Sequence, residues 1–356
     1  MGRIPRSLKV VHLIPEDGLG GVETAAREMA CRDDLACDFH LVSMVGKSFA
    51  PGRANTHALG FSNALNPLAQ AAAVRAAMKL DPDVLICSLW KTIPAAVLIK
   101  VLRPRIRLVA FFHSVERVHG VDRAMHAVLL RFADVIWADS ESALGAAGLQ
   151  GSGLPSRKIS YVIDGPREAP EAQPPQPHFI SWSRIHHHKG MDRSIELVAR
   201  LVARGVDVRF DLWGPDQGPR AKLEELARKL GVAEHLRFHG SMSRADLPSL
   251  AGQASFLLQL SRLEGMAMVV VEAMQFGLVP IVTPVGEIRR YCRDGENAVI
   301  VDVDDLDGAA ERIATLLQDA GTYRRMSDAA RAEWQDCTRY ADDICAAALE
   351  LAGDPE

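Results

Sequence analysis

The chain has 356 residues, of which 48% are hydrophobic and 24% charged, with a formal net charge of −4. That length exceeds one typical domain and predicts two, each with a substantial core, while the mild acidity excludes a typical nucleic-acid binder, which carries a strongly basic face. No apolar run approaches the roughly 18 residues of a membrane span, and the six scattered cysteines (Cys31, Cys37, Cys87, Cys292, Cys337, Cys345) include no CxxC pair, so free thiols in a reducing cytoplasm are expected rather than disulfides or a zinc site.

The chain opens MGRIPRSLKVVHLIPEDG, whose apolar stretch is short and runs into Glu16-Asp17; it reads as a first strand, not a signal peptide. Arg6 breaks the myristoylation pattern. Apolar runs then predict strands over 9–15, 38–45, 83–88, 107–114, 134–140 and 158–164, with helical patterns over 20–32, 67–80 and 93–103. Such alternation marks parallel α/β sheets with crossover helices. The turn GLGGVET (18–24) misses the dinucleotide fingerprint because Glu23 holds the place of its last glycine. Gly20-Gly21 still lets the backbone approach a phosphate or sugar closely. His113 stands at the end of the strand 107–114, as a structural residue or one facing a cleft. Residues 94–107, PAAVLIKVLRPRIR, join an apolar helix to Lys100, Arg103, Arg105 and Arg107. That mixture can hold a protein on anionic lipid, although the helix dipole alone gathers cations at this end.

Residues 166–178, PREAPEAQPPQPH, carry five prolines and are the expected linker. Beyond it strands are predicted over 179–184, 207–214, 236–241, 254–260, 278–283 and 298–303, and helices over 194–205, 219–231, 266–276 and 306–319. Two Rossmann-like, doubly wound parallel-sheet domains follow, over 1–165 and 179–337, with a last helix near 338–356 crossing back to the first. Ligands in such sheets bind beyond the carboxyl ends of the strands, here in the cleft between domains.

Two stretches of the second domain carry chemistry. In SWSRIHHHKG (181–190), Arg184 and Lys189 fall in a strand-to-helix loop, where a planar fork and a point charge suit a diphosphate; the alternative is a pair of ordinary surface cations. The histidines 186–188 read as a polar loop, since adjacent residues rarely converge on one metal ion. In SRLEGMAMVVVEAMQFG (261–277), Glu264 falls in a loop, a helix begins near Ala267 or Met268, Glu272 lies about a turn inside it and Gly277 ends it. An unpaired buried carboxylate is costly, and the helix start between these two favours an anion. Eight residues at helical rise span about 12 Å, the scale separating the sugar ring and ribose of a nucleotide sugar. The alternative leaves Glu264 solvated and Glu272 paired with an arginine. Asp302-Val303-Asp304 reads as a surface loop before the helix 306–319 rather than a metal-binding Asp-x-Asp.

Arg184, Lys189-Gly190, Glu264 and Glu272 in an E-x7-E pattern, VGEI after the strand 278–283 and DGENAVIVD fall in an order that resembles the family-four retaining glycosyltransferases of GT-B architecture. The resemblance covers nearly the whole chain and is strongest over 179–320. It implies that Glu272 binds the ribose hydroxyls, and that Arg184 and Lys189 hold the diphosphate and stabilise it as it leaves. Glu264, with the backbone of Gly265, Met266, Ala267 and Met268, would hold the donor sugar and a phosphate. His113 would contact the sugar from the other domain, Gly20-Gly21 would line the floor, and the loop 239–243, with Gly240, Ser241 and Met242, would seat the base. Ala267 departs from the usual glycine, and Asp164-Gly165 replaces Asn-Gly, a change that looks minor. The resemblance further implies retaining, metal-independent transfer of a hexose from a UDP- or GDP-sugar, with no cofactor, to a saccharide or lipid-linked acceptor. A cytoplasmic place in bacterial surface polysaccharide or glycolipid synthesis, on the inner face of the plasma membrane, goes with it. A nucleotide-sugar epimerase and a non-catalytic nucleotide-sugar-binding module are the alternatives.

Overall fold

A computed structural model of the chain describes residues 7–18, 20–46, 53–113, 120–145, 151–165 and 174–353. It divides into two compact units, one running to Ile163 and taking in the chain from Thr338 onward, the other spanning Asp164–Cys337. The expected linker lies outside the described residues over 166–173.

The N-terminal unit holds seven strands: β1 (Lys9–Glu16), β2 (Asp38–Val45), β3 (Thr56–Phe61), β4 (Val84–Ser88), β5 (Arg107–Phe112), β6 (Val135–Ala138) and β7 (Ser156–Lys158). All pair in parallel in the order β3-β2-β1-β4-β5-β6-β7. Every residue of β4 is buried, as expected where helices cover both faces of a parallel sheet. The C-terminal unit holds β8 (His178–Trp182), β9 (Arg209–Trp213), β10 (Leu236–Gly240), β11 (Phe256–Gln259), β12 (Val279–Val282) and β13 (Val299–Ile300). These are again all parallel, in the order β10-β9-β8-β11-β12-β13. The helix Met191–Ala203 shows why the pattern was readable: Met191, Ile195, Val198 and Leu201 recur at helical spacing and are buried against this sheet.

In each sheet the strand order reverses once, between β1 and β4 and between β8 and β11. Loops leaving the two strands beside a reversal diverge to opposite sides and open a crevice at the carboxyl edge.

Several expectations need correction. The strand predicted over 158–164 is the shorter β7, Ser156–Lys158. The residues after it turn to the C-terminal helix instead: Ser160 N–H donates to Asp343 at 2.7 Å, and Tyr340 N–H donates to the Val162 carbonyl at 2.7 Å. Strand β3, interrupted by Gly60 at φ 76°, and the helices Gly120–Phe132 and Ala320–Ala332 were not singled out by the sequence pattern. The expectation of free thiols fails for one pair, because Cys37, just before β2, is disulfide-bonded to Cys345 of the helix Tyr340–Gly353. Their separation of 308 residues hides the pairing from any reading of spacing. Cys31, Cys87, Cys292 and Cys337 are free. Among the described residues no helix is long and apolar enough to cross a membrane.

Candidate functional site

The crevice of the C-terminal unit is built by the loops that follow β8 and β11. After β8, Arg184 is exposed and makes one long hydrogen bond, Nη1 to Gln217 Oε1 at 3.5 Å. Ile185 returns to the core, and a single 3-10 turn, His187–Lys189, leads into Gly190. Gly190 takes a left-handed φ of 63°, and a Cβ there would lie 1.8 Å from the Leu260 carbonyl oxygen. Only glycine lets this turn press on the end of β11. Arg262 locks the turn from the other side: its guanidinium forks onto Asp192 at 2.7 and 2.6 Å, and its N–H donates to the His188 carbonyl at 2.7 Å.

Lys189 is thereby brought to Glu264. Its Nζ donates to both carboxylate oxygens, at 2.8 and 2.9 Å. Gln259 Nε2 and Ser261 Oγ donate to Oε1 at 2.8 and 2.6 Å, so Glu264 is 8% exposed and fully partnered at that oxygen. The solvated-loop alternative is excluded. The backbone around it is held as well. Gly286, at φ 57°, packs so closely that a Cβ would meet the Glu264 carbonyl oxygen at 2.2 Å. Glu287 N–H donates to the Gly265 carbonyl at 3.0 Å, and Tyr291 Oη donates to the Met266 carbonyl at 2.9 Å. Ala267 adopts φ 56°, ψ 59° and caps the helix Met268–Gln275. A left-handed conformation costs a residue with a Cβ about 1 kcal/mol, so the glycine that the resemblance leads one to expect here would fit the backbone better. The first amides of a helix have no intrahelical acceptors.

Glu272, fifth in that helix, is 8% exposed. Trp182 Nε1 donates to its Oε2 at 2.8 Å, and Arg244 Nη1 donates to its Oε1. The other Arg244 nitrogen, Nη2, donates to Asp164 Oδ2 at 2.5 Å. Burial disfavours the charge on Arg244, but the Glu272 and Asp164 carboxylates outweigh it and raise its pKa above the usual guanidinium value. Gly240, at φ 83°, ends β10, and Ser241 and Met242 lead from it to the turn that carries Arg244.

The alternative in which Glu272 pairs with an arginine is borne out by Arg244, although the sequence identified neither that arginine by position nor Trp182. Asp164, read there as a minor change, is an ion-pair partner. Gln259, Ser261 and Arg262 were also missed, although all lie within five residues of Glu264.

In the N-terminal unit, Gly20 caps the helix Gly21–Ala30 at φ −79°, an ordinary conformation, and the space beside its Cα is taken by the Glu23 carboxylate. His113 follows β5. Its Nδ1 lies 3.3 Å from Asp139 Oδ2, and its Nε2 lies 2.8 Å from Ser88 Oγ, which in turn lies 2.7 Å from Nε2 of the fully buried His12. Both ring nitrogens of His113 are thus engaged within its own unit. Lys100 of the basic stretch donates to both oxygens of Asp134, at 3.0 and 2.8 Å, and Arg107 lies 3.8 Å from the same carboxylate. Arg103 and Arg105 are exposed, beside the exposed Leu98, Val101 and Leu102. His186–His188 form a local polar turn, and no cluster fit to hold a metal ion occurs among the described residues. Asp302 and Asp304 form a turn ahead of the helix Leu306–Gln318.

Two parallel sheets, each with its crevice at a strand-order reversal, define the GT-B class of glycosyltransferase fold. The structure superposes on the crystal structure of Anabaena Alr3699/HepE in complex with UDP and glucose with a TM-score of 0.81 at 18% identity, covering 96% of this chain and 99% of that one. Residues 165–333, nearly the whole C-terminal unit, match the family profile described as glycosyl transferases group 1. Two relatives are GDP-mannose:cellobiosyl-diphosphopolyprenol alpha-mannosyltransferases. That of Komagataeibacter xylinus is 35% identical over 162 residues, 44% of this chain and 41% of the relative. That of Xanthomonas campestris is 29% identical over 200 residues, 54% of this chain and 53% of the relative. The matched segment spans about half the length of these curated relatives.

Proposed function

We propose that the chain is a retaining glycosyltransferase that moves a hexose from a nucleoside diphosphate sugar to a saccharide or lipid-linked saccharide. The observation that carries this reading is the convergence at one crevice of the Lys189–Glu264 pair, the exposed Arg184, the start of the helix Met268–Gln275 and the Glu272 carboxylate. Arg184, Lys189 and the helix amides would receive the diphosphate. Ionised, Glu272 offers about four acceptor positions; Trp182 and Arg244 occupy one on each oxygen, leaving one on each for a vicinal ribose diol. Glu264 keeps acceptor capacity only on Oε2, enough for a single sugar hydroxyl beside the amides of Gly265 to Met268.

In the reaction the acceptor oxygen bonds to the anomeric carbon as the bond from that carbon to the phosphate oxygen breaks, on the same face. The acceptor proton passes to the departing phosphate. Positioning and charge stabilisation of the leaving diphosphate do the catalytic work, and two cations with a helix start can supply it without a divalent metal. GDP-mannose and UDP-glucose are the donors to test first, given what the relatives act on and what the structural neighbour binds. A polyprenol-linked acceptor would place the enzyme at a membrane, where Arg103 and Arg105 with Leu98, Val101 and Leu102 form the contact face; Lys100 and Arg107, held by Asp134, would contribute little.

The test is turnover of each nucleotide sugar, with and without a diphosphopolyprenol saccharide and with excess EDTA, and assignment of the product anomer by NMR. Donor cleavage that survives EDTA, falls in Lys189→Ala mainly through kcat and in Glu272→Ala through KM supports the reading. No binding or cleavage of any nucleotide sugar would overturn it. Flotation with anionic vesicles at low salt tests the membrane face separately.

A further inference from the structure

We infer that Arg244, held by Asp164, is the positioning residue that makes this site select a ribonucleotide. The inference rests on the proposed function, since it needs Glu272 to receive the nucleotide diol. A glutamate carboxylate rotates about its last torsion in a broad, two-fold well, so two hydroxyls can be bound together only if the carboxylate plane is fixed. Two donors fix it here, one per oxygen: the Trp182 indole N–H at 2.8 Å and the Arg244 guanidinium.

Arg244 is itself fixed at both ends. Its backbone lies in the 3-10 turn Arg244–Asp246, where Ser243 and Asp246 form a capping box. Its second nitrogen is tied to Asp164, whose carbonyl accepts from Gln275 Nε2 of the Glu272 helix at 2.9 Å. Arg244 thus bridges two carboxylates, Glu272 through Nη1 and Asp164 through Nη2, and cannot turn away from one without breaking its bond to the other. An asparagine at position 164 would leave Arg244 a neutral oxygen and a weaker anchor, because hydrogen bonds between charged partners are roughly twice as strong.

The test compares binding of GDP and UDP with that of their 2′-deoxy counterparts, by titration calorimetry. Wild type should bind at least one ribonucleotide about tenfold or more tighter than its deoxy form, the usual worth of a hydrogen bond to a charged acceptor. Arg244→Gln should weaken the ribonucleotide by a similar factor, leave the deoxynucleotide nearly unchanged and bring the ratio close to one. Arg244→Lys and Asp164→Asn should give intermediate ratios. Lys189→Ala should weaken both ligands alike and keep the ratio. Should Arg244→Gln retain the wild-type ratio, or weaken both ligands equally while melting at the wild-type temperature, the inference is wrong. Where wild type binds neither GDP nor UDP, the same titration is run with ADP, CDP and TDP and their ribo or deoxy counterparts; binding of none overturns the proposed function and this inference with it.

Discussion

Acidification should destabilise the N-terminal unit through one buried side chain, His12. The ring is fully buried, on β1, with its Nε2 2.7 Å from Ser88 Oγ and no partner for Nδ1 among the described residues. Burial, aided by His113 nearby, lowers its pKa from 6.5 to about 3. Between those values the unfolded chain binds a proton at this position and the folded chain does not, so stability falls as the pH drops below 6.5 and levels off near 3. From pH 7 to pH 4 the loss works out at about 3 kcal/mol. Urea unfolding at both pH values, followed by hydrogen exchange in peptides from β1, gives the loss for wild type and for His12→Gln. Glutamine keeps a donor toward Ser88 and does not titrate. Contributions from carboxylates are common to both proteins and cancel in the difference. The variant should lose roughly 3 kcal/mol less than wild type over this interval. Equal losses in the two proteins would refute the reasoning, because the acid sensitivity would then belong to other groups.

Three further outcomes can be measured. Cys345→Ser opens a crosslink spanning 308 residues, which the chain-entropy relation values at up to about 6 kcal/mol; an unchanged urea midpoint in the N-terminal unit would show that the bond is not formed. Ala267→Gly relieves a left-handed alanine and should stabilise the C-terminal unit by at most about 1 kcal/mol, after the entropy cost of glycine; a clear loss of stability would count against the strained cap. Gly190→Ala drives a methyl group into the Leu260 carbonyl and should cost about 3 kcal/mol or more, with loss of nucleotide binding; a variant that folds and binds like wild type would mean the turn does not press on β11.

Much of the architecture was legible because it repeats locally. The helix 67–80 and the strand 38–45 coincide with the observed Pro67–Leu80 and Asp38–Val45, since Pro67 at a helix start and long apolar runs are strong short-range signals. Strand β3 escaped because THALGF has a weak apolar pattern and a glycine within it. The overreach at 158–164 came from an apolar run whose partner is a helix from the far end of the chain. At the site, Lys189-Gly190 and Glu264 with Glu272 stood out because each pair is close in sequence. The same local reading left His113 either structural or facing a cleft, and could not show that Asp139 and Ser88 both engage its ring.

What the amino-acid order determined alone was therefore the alternation of strand and helix, the turn glycines and the spacing of the acidic pair, all set within a few residues by backbone period and side-chain type. Tertiary structure decided the partners. Arg244 reaches Glu272 across 28 residues and Asp164 across 80, Trp182 reaches Glu272 across 90, and Cys37 meets Cys345 across 308. Those meetings depend on which parallel strands lie side by side and in what register, and no local period of the sequence encodes either.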